Sequence, residues 1–246
     1  MQDHFQRLMQ IENSTRKAVI FDLDGTLYDA WPLKQKMAWR LLRAYAMNPW
    51  QGLEVIRGLS AYRKAHEQLR HQTTHDTDLR HAQLQIASDR TGIPLPRIES
   101  WVQRWMEEEP LSLLAPLMKP GLLPLLYQLK AAGYGLGVVS DYAALEKLQY
   151  LGIDSFFDVV LCAQDKKVNQ MKPSPEGLLL AAKLLGVRPQ HAVYIGDRTG
   201  VDDVAALAAG MQPILLSDSG ASTYNVDVVP DYFDLMAKMS AVLAAA

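Results

Sequence analysis

The chain has 246 residues, 49% of them apolar, and a formal net charge of −2. That composition buries a core rather than staying disordered, and the length suits one large domain or a core with a smaller inserted one. A balance this close to neutral provides no global basic field for nucleic acid, although local charge can still receive a small anion.

Residues Met1 to Lys17 mix Asp3, His4, Arg7 and Glu12 with scattered apolar residues. They lack the unbroken apolar stretch of a signal peptide, and no later run is long and uncharged enough to span a membrane. The first predicted strand, Ala18-Val19-Ile20-Phe21, runs into Asp22-Leu23-Asp24-Gly25-Thr26-Leu27. From about Ala30 to Ala115 no strand is convincing. Helices are predicted over roughly 32–47, 51–70, 79–91 and 96–108, and all five tryptophans fall here. Trp101 and Trp105, four apart on one helix face, read as packing rather than substrate stacking. His66, His71, His75 and His81 match no zinc spacing and read as a solvated surface.

Beyond this stretch strands and helices alternate. Gly121 to Ala132 follows Pro120 and stops at Gly133, the usual placing of Pro before and Gly after a helix. Leu136 to Val139 reads as a strand running into Ser140-Asp141. Val159 to Cys162 reads as another, with the single Cys162 as a buried small hydrophobe. Ser174-Pro175 reads as an N-cap and first-turn proline opening a helix that ends near Gly186. Ala192 to Ile195 is a strand entering Gly196-Asp197. Val201 to Ala209, Pro213 to Leu216 and Tyr232 to Ala246 read as helix, strand and final helix. The expected architecture is α/β, a doubly wound Rossmann-like parallel sheet core with an inserted all-helical domain. No internal repeat or low-complexity segment interrupts it.

The polar clusters follow strands. In open α/β sheets ligands bind beyond the carboxyl ends of the strands, so these clusters should meet. Two carboxylates at Asp22 and Asp24 can divide labour between attack and proton transfer, with Gly25 permitting the bend between them. A metal-binding or turn-forming acidic loop is the plainer alternative. Ser140-Asp141 offers a hydroxyl and backbone N–H groups to a phosphate oxygen, or simply a turn. Lys172, before a helix start, is a compact charge suited to phosphate, with Lys166 and Lys167 as rivals. Carboxylates at Asp197 and Asp202 could join Asp22 around a hard cation, with Asp203 as rival to Asp202 and a dipole-favouring helix turn as the alternative.

Taken in this order, the four clusters resemble the haloacid dehalogenase superfamily, in its phosphatase branch with a helical cap (phosphoglycolate phosphatase-like). The likeness covers about residues 17–29 and 116–217. It implies a core of residues 1–29 and 115–246 and a helical cap of residues 30–114. Asp22 is then the nucleophile forming an aspartyl-phosphate, and Asp24 the general acid and base. Thr26, Ser140, Asp141 and Lys172 bind the phosphoryl group. Asp22, Asp24 (through its carbonyl), Asp197 and Asp202 hold Mg²⁺. Tyr28 and Asp29 are expected at the mouth between core and cap. The implied protein is a cytoplasmic, Mg²⁺-dependent phosphatase of a small phosphorylated metabolite, monomer or homodimer, with neither nucleic acid nor membrane as partner. The alternatives are a phosphomutase of the same fold, whose cap must keep water out, a metal-free dehalogenase, which Asp24 and Asp197 argue against, and a silent phosphate-binding or regulatory protein.

Overall fold

The computed structural model describes residues 17–70, 78–217, 224 and 226–244. Strand β1 (Ala18–Phe21) has every side chain buried. Its alternate residues serve two cores. Val19 and Phe21 pack in one cluster with Leu125, Leu129, Leu148 and Leu235. Ala18 and Ile20 pack in another with Leu178, Leu185 and Ala205. The strand period of two places neighbours on opposite faces, so a strand apolar throughout must be covered on both.

Strands β2 (Gly135–Ser140), β3 (Val159–Cys162), β4 (Ala192–Gly196), β5 (Gln212–Leu216) and β6 (Asp227–Val229) complete a sheet of order β3-β2-β1-β4-β5-β6. Every adjacent pair is parallel. The sixth strand was not expected from the sequence. It has three residues, starts at Asp227 and sits at the edge, where so short a strand carries little pattern. The chain adds β2 and β3 on one side of β1 and returns to place β4 on the other. This reversal makes the carboxyl ends of β1 and β4 the switch point where such folds bind ligands.

Between β1 and the core helices lie α1 (Ala30–Ala44), α2 (Pro49–Arg70), α3 (Leu79–Thr91) and α4 (Leu95–Val102). Helix α1 starts before the expected Pro32, which sits in the first turn where its missing N–H needs no partner. Helix α4 gives way to a π-helical turn, Gln103–Glu108, instead of running on as α-helix. These helices have an apolar cluster of their own, around Val55, Tyr62, Leu84, Ile98, Trp101 and Trp105. The two tryptophans are packed as expected, whereas Trp31, Trp39 and Trp50 are exposed. The chain enters and leaves the insertion through paired segments. The Asp29 amide donates to Leu117 O at 2.9 Å, and the Lys119 amide to Leu27 O at 3.0 Å.

The remaining helices are α5 (Leu122–Ala131), α6 (Leu145–Leu151), α7 (Glu176–Leu185), α8 (Asp202–Ala208) and α9 (Tyr232–Ala244). Helix α7 begins at Glu176, so Pro175 rather than Ser174 is its cap residue. Cys162 is a buried free thiol, as read from the sequence. Among the described residues, no helix is long and apolar enough to cross a membrane. The expectations for residues 1–16, His71, His75 and the last two residues lie outside the described residues.

Candidate active site

Asp22 follows the last residue of β1, and its amide continues the sheet ladder by donating to Ile195 O at 2.8 Å. Its carboxylate is 5% exposed. Oδ1 accepts from Lys172 Nζ at 2.5 Å, and Oδ2 accepts from Thr26 Oγ1 at 3.2 Å. Thr26 is fully buried, and its hydroxyl donates to the carboxylate it would orient.

Lys172 is buried, whereas its rivals Lys166 and Lys167 are exposed. All three of its N–H groups have partners: Asp22, Tyr194 Oη at 2.9 Å and Asp202 Oδ1 at 2.7 Å. Burial alone lowers a lysine pKa, but Asp202 and then Asp22 outweigh it and hold the ammonium well above the ordinary value. Asp202 is fully buried. It also accepts from Tyr194 Oη at 3.1 Å and from the amides of Asp197 and Arg198 at 3.2 and 3.0 Å. Asp203 points elsewhere. It accepts from the amides of Gly200 and Val204 at 2.7 and 2.8 Å and from Thr199 Oγ1 at 3.2 Å. Asp203 therefore ties down the start of α8, and Asp202 faces the site.

Asp22, Asp197 and Asp202 bring carboxylate oxygens within 4.8 Å of one another. Two glycines make this convergence possible. Gly25 has φ +101°, and a Cβ there would overlap the Asp197 carboxylate. A Cβ on Gly196 would overlap Asp202. Three carboxylates face one ammonium, and buried like charges repel. Burial first, then Asp202 and Asp197 against the opposing pull of Lys172, raises Asp22 to about 8. Burial and Asp202 raise Asp197 to about 6. Asp197 Oδ1 is buried without a hydrogen-bond partner. A hard divalent cation fits this donor set in both chemistry and charge.

Asp24 leaves the strand toward the other side and is half-buried. Its Oδ1 accepts from Lys147 Nζ of α6 at 2.6 Å and from the Tyr28 hydroxyl. Tyr28, expected at the mouth between core and cap, is 2% exposed, and its hydroxyl turns to Asp24. Asp29 pairs loosely with Lys119 at 3.5 Å.

A family model for haloacid dehalogenase-like hydrolases matches residues 16–210.

The chain belongs to the haloacid dehalogenase-like hydrolase family.

It is 32% identical over 224 residues to a glyceraldehyde 3-phosphate phosphatase of Methanopyrus kandleri, covering 88% of this chain and 91% of that one. It is 30% identical over 212 residues to hexitol phosphatase A of Escherichia coli, covering 82% and 83%. A crystal structure of a HAD phosphatase from Thermococcus onnurineus superposes with TM-score 0.61 at 26% identity, covering 91% and 98%. The family and these relatives make the chain a phosphoric monoester hydrolase.

In this hydrolase the end of β2 also meets the insertion. Ser140 Oγ is buried and accepts from the Tyr142 amide at 3.3 Å, which leaves its proton to donate. Asp141 Oδ2 accepts from Arg70 Nη2 at 2.8 Å and lies 3.3 Å from His66 Nε2. Burial would raise Asp141, but Lys172, Arg70 and His66 hold it below the usual carboxylate value. A carboxylate so engaged leaves only backbone N–H groups at this position for an anion.

The expectation that His66 is solvated is corrected here. It is 3% exposed, because its ring stacks on Tyr142 with centroids 4.7 Å apart. Burial, opposed by Asp141, lowers His66 from 6.5 to about 4. Between these values the unfolded chain binds more protons than the folded one, so stability falls as pH drops through that window. The full window is worth about 3 kcal/mol. His66→Gln is expected to flatten this slope in urea melts at about pH 4.5 and about pH 7. An unchanged slope would remove His66 from the acid sensitivity.

Lys147, Tyr194, Arg70 and His66 were missed as site residues. Two carried a faint signal. Lys147 shares the buried face of α6 with Leu151, and Tyr194 stands in a fully apolar strand, where its hydroxyl requires a partner.

Proposed function

We propose that this hydrolase is a Mg²⁺-dependent phosphatase that cleaves a small phosphorylated metabolite through an aspartyl-phosphate on Asp22. The observation that carries the reading is the placement of Lys172 Nζ, 2.5 Å from Asp22 and 2.7 Å from Asp202, beside an acidic group that fits a divalent cation. Asp22, Asp197 and Asp202, with the Asp24 carbonyl, would hold Mg²⁺. When bound, Mg²⁺ offsets the repulsion between the Asp22 carboxylate and a phosphate dianion and stabilises charge on the transferring group.

The chain's own residues supply the remainder. Thr26 and Lys172 aim the Asp22 carboxylate. Ser140 donates its hydroxyl proton to a phosphoryl oxygen, and backbone N–H groups of the Ser140-Asp141 turn add donors. An Asp22 oxygen forms a bond to phosphorus as the ester oxygen leaves, taking a proton from Asp24. Asp24 then takes a proton from the water that cleaves the aspartyl-phosphate and returns Asp22. Lys147 and Tyr28 orient Asp24 through Oδ1, so that Oδ2 would carry the proton it gives and takes.

The reading also divides the chain into a core of residues 1–29 and 115–246 and a cap of residues 30–114. The separate apolar cluster of the insertion supports it, as do the paired segments at its base. A cytoplasmic setting suits a chain with one buried thiol.

The test is phosphate release from an aryl phosphate and a panel containing glyceraldehyde 3-phosphate, hexitol phosphates and phosphoglycolate. Turnover is expected with Mg²⁺, loss with chelator, and recovery on adding Mg²⁺ back. No release from any panel member would sink the phosphatase reading.

A further inference from the structure

One guanidinium joins the insertion to both loops on the phosphate side. Arg70 ends α2 and is 7% exposed. Its Nη2 donates to Asp141 Oδ2 at 2.8 Å and meets His66 Nε2 at 2.9 Å. Its Nη1 donates to the backbone carbonyl of Lys172, and its Nε donates to Glu67 at 3.0 Å. Asp141 directly follows Ser140 at the end of β2. Lys172 lies beyond β3, on the loop whose ammonium reaches Asp22. Asp141 and the Lys172 carbonyl stand 71 and 102 residues away in sequence.

Two features make this contact more than a surface pair. The seam beside it is packed, since Leu69, Leu79, Ala163 and Met171 form a buried apolar cluster across the same junction. The planar fork of an arginine is also pre-set to hold a carboxylate and a carbonyl in fixed directions, an orientation that a lysine's ammonium on a flexible stem does not impose. His66, one turn earlier on α2, buttresses the guanidinium and is itself clamped on Tyr142.

We infer that Arg70 is a positioning residue, locking the helical insertion onto the Ser140-Asp141 turn and the Lys172 backbone so that both loops face Asp22 when the insertion is shut. The inference rests on the phosphatase reading for what those loops do. The lock itself is a matter of geometry. Arg70 touches none of Asp22, Asp197 and Asp202, so its loss acts first on the two loops and reaches the carboxylates only through Lys172.

The experiment compares Arg70→Gln, Arg70→Lys, Asp141→Asn and the Arg70→Gln/Asp141→Asn double variant on the aryl phosphate. Arg80→Gln serves as control, because it breaks another ion pair, Arg80 with Glu107, that lies within the insertion. Arg70→Gln is expected to lower kcat on the order of 10- to 100-fold, the penalty of small misplacement, with the Mg²⁺ dependence unmoved. Arg70→Lys recovers part of the loss, the double variant is no slower than the worse single, and Arg80→Gln keeps the wild-type rate. Hydrogen exchange in segments 140–145 and 168–172 is expected to speed up in Arg70→Gln. Wild-type kcat in Arg70→Gln, additive losses in the double, or an equal loss in Arg80→Gln would overturn the inference. If the wild type releases no phosphate, the phosphatase reading has failed. The exchange rates then decide the lock alone, faster exchange upholding it and unchanged exchange overturning it.

Discussion

Asp22→Asn is expected to abolish phosphate release, by at least ~10⁴-fold, as removal of a nucleophile does. The fold should survive. The amide oxygen of Asn can keep the hydrogen bond from Lys172 now made by Asp22 Oδ1. The substitution also takes one carboxyl out of a group of three, two of them buried and paired with one ammonium. Burial already disfavours its charge, raising Asp22 to about 8. Thermal melting in metal-free buffer should therefore be unchanged or higher, which separates lost chemistry from lost structure. Turnover close to wild type would exclude Asp22 as nucleophile.

Lys172→Met should damage both activity and stability. The ammonium satisfies Asp22, Asp202 and the Tyr194 hydroxyl together. Removing one partner of a buried ion pair leaves uncompensated charge, at about 3–5 kcal/mol. Loss of the cation nearest the nucleophile should slow turnover by roughly 10³-fold, the scale of one preorganised electrostatic contact. Urea unfolding with and without Mg²⁺ tests the electrostatic cause. A divalent cation among the same carboxylates should restore part of the lost stability in the variant. A variant as stable as wild type in metal-free buffer would show that the carboxylates do not depend on Lys172.

These expectations differ in how far they were readable from the chain. Asp22, Asp24, Ser140 and Asp197 stand directly after apolar runs, so local pattern located them and parallel topology brought them to one edge. Lys172 was harder, since three lysines lie within seven residues. Burial separates it from Lys166 and Lys167. The choice between Asp202 and Asp203 depended on which side of α8 faces β4, and adjacent residues on a helix point in different directions.

The sequence by itself determined the sheet core, the helical insertion, the acidic pair after β1 and the order of the polar clusters. Each is written in periodicity or in a strand–loop junction a few residues long. Tertiary structure alone decided that Lys147 meets Asp24 across 123 residues, that Thr26 serves Asp22, and that His66 and Arg70 are buried at Asp141. The physical reason is that a polar side chain on a helix has no fixed meaning until packing removes its water. Arg70 in solution would be one more hydrated charge. Pressed against Asp141 and the Lys172 carbonyl, it has to be paired.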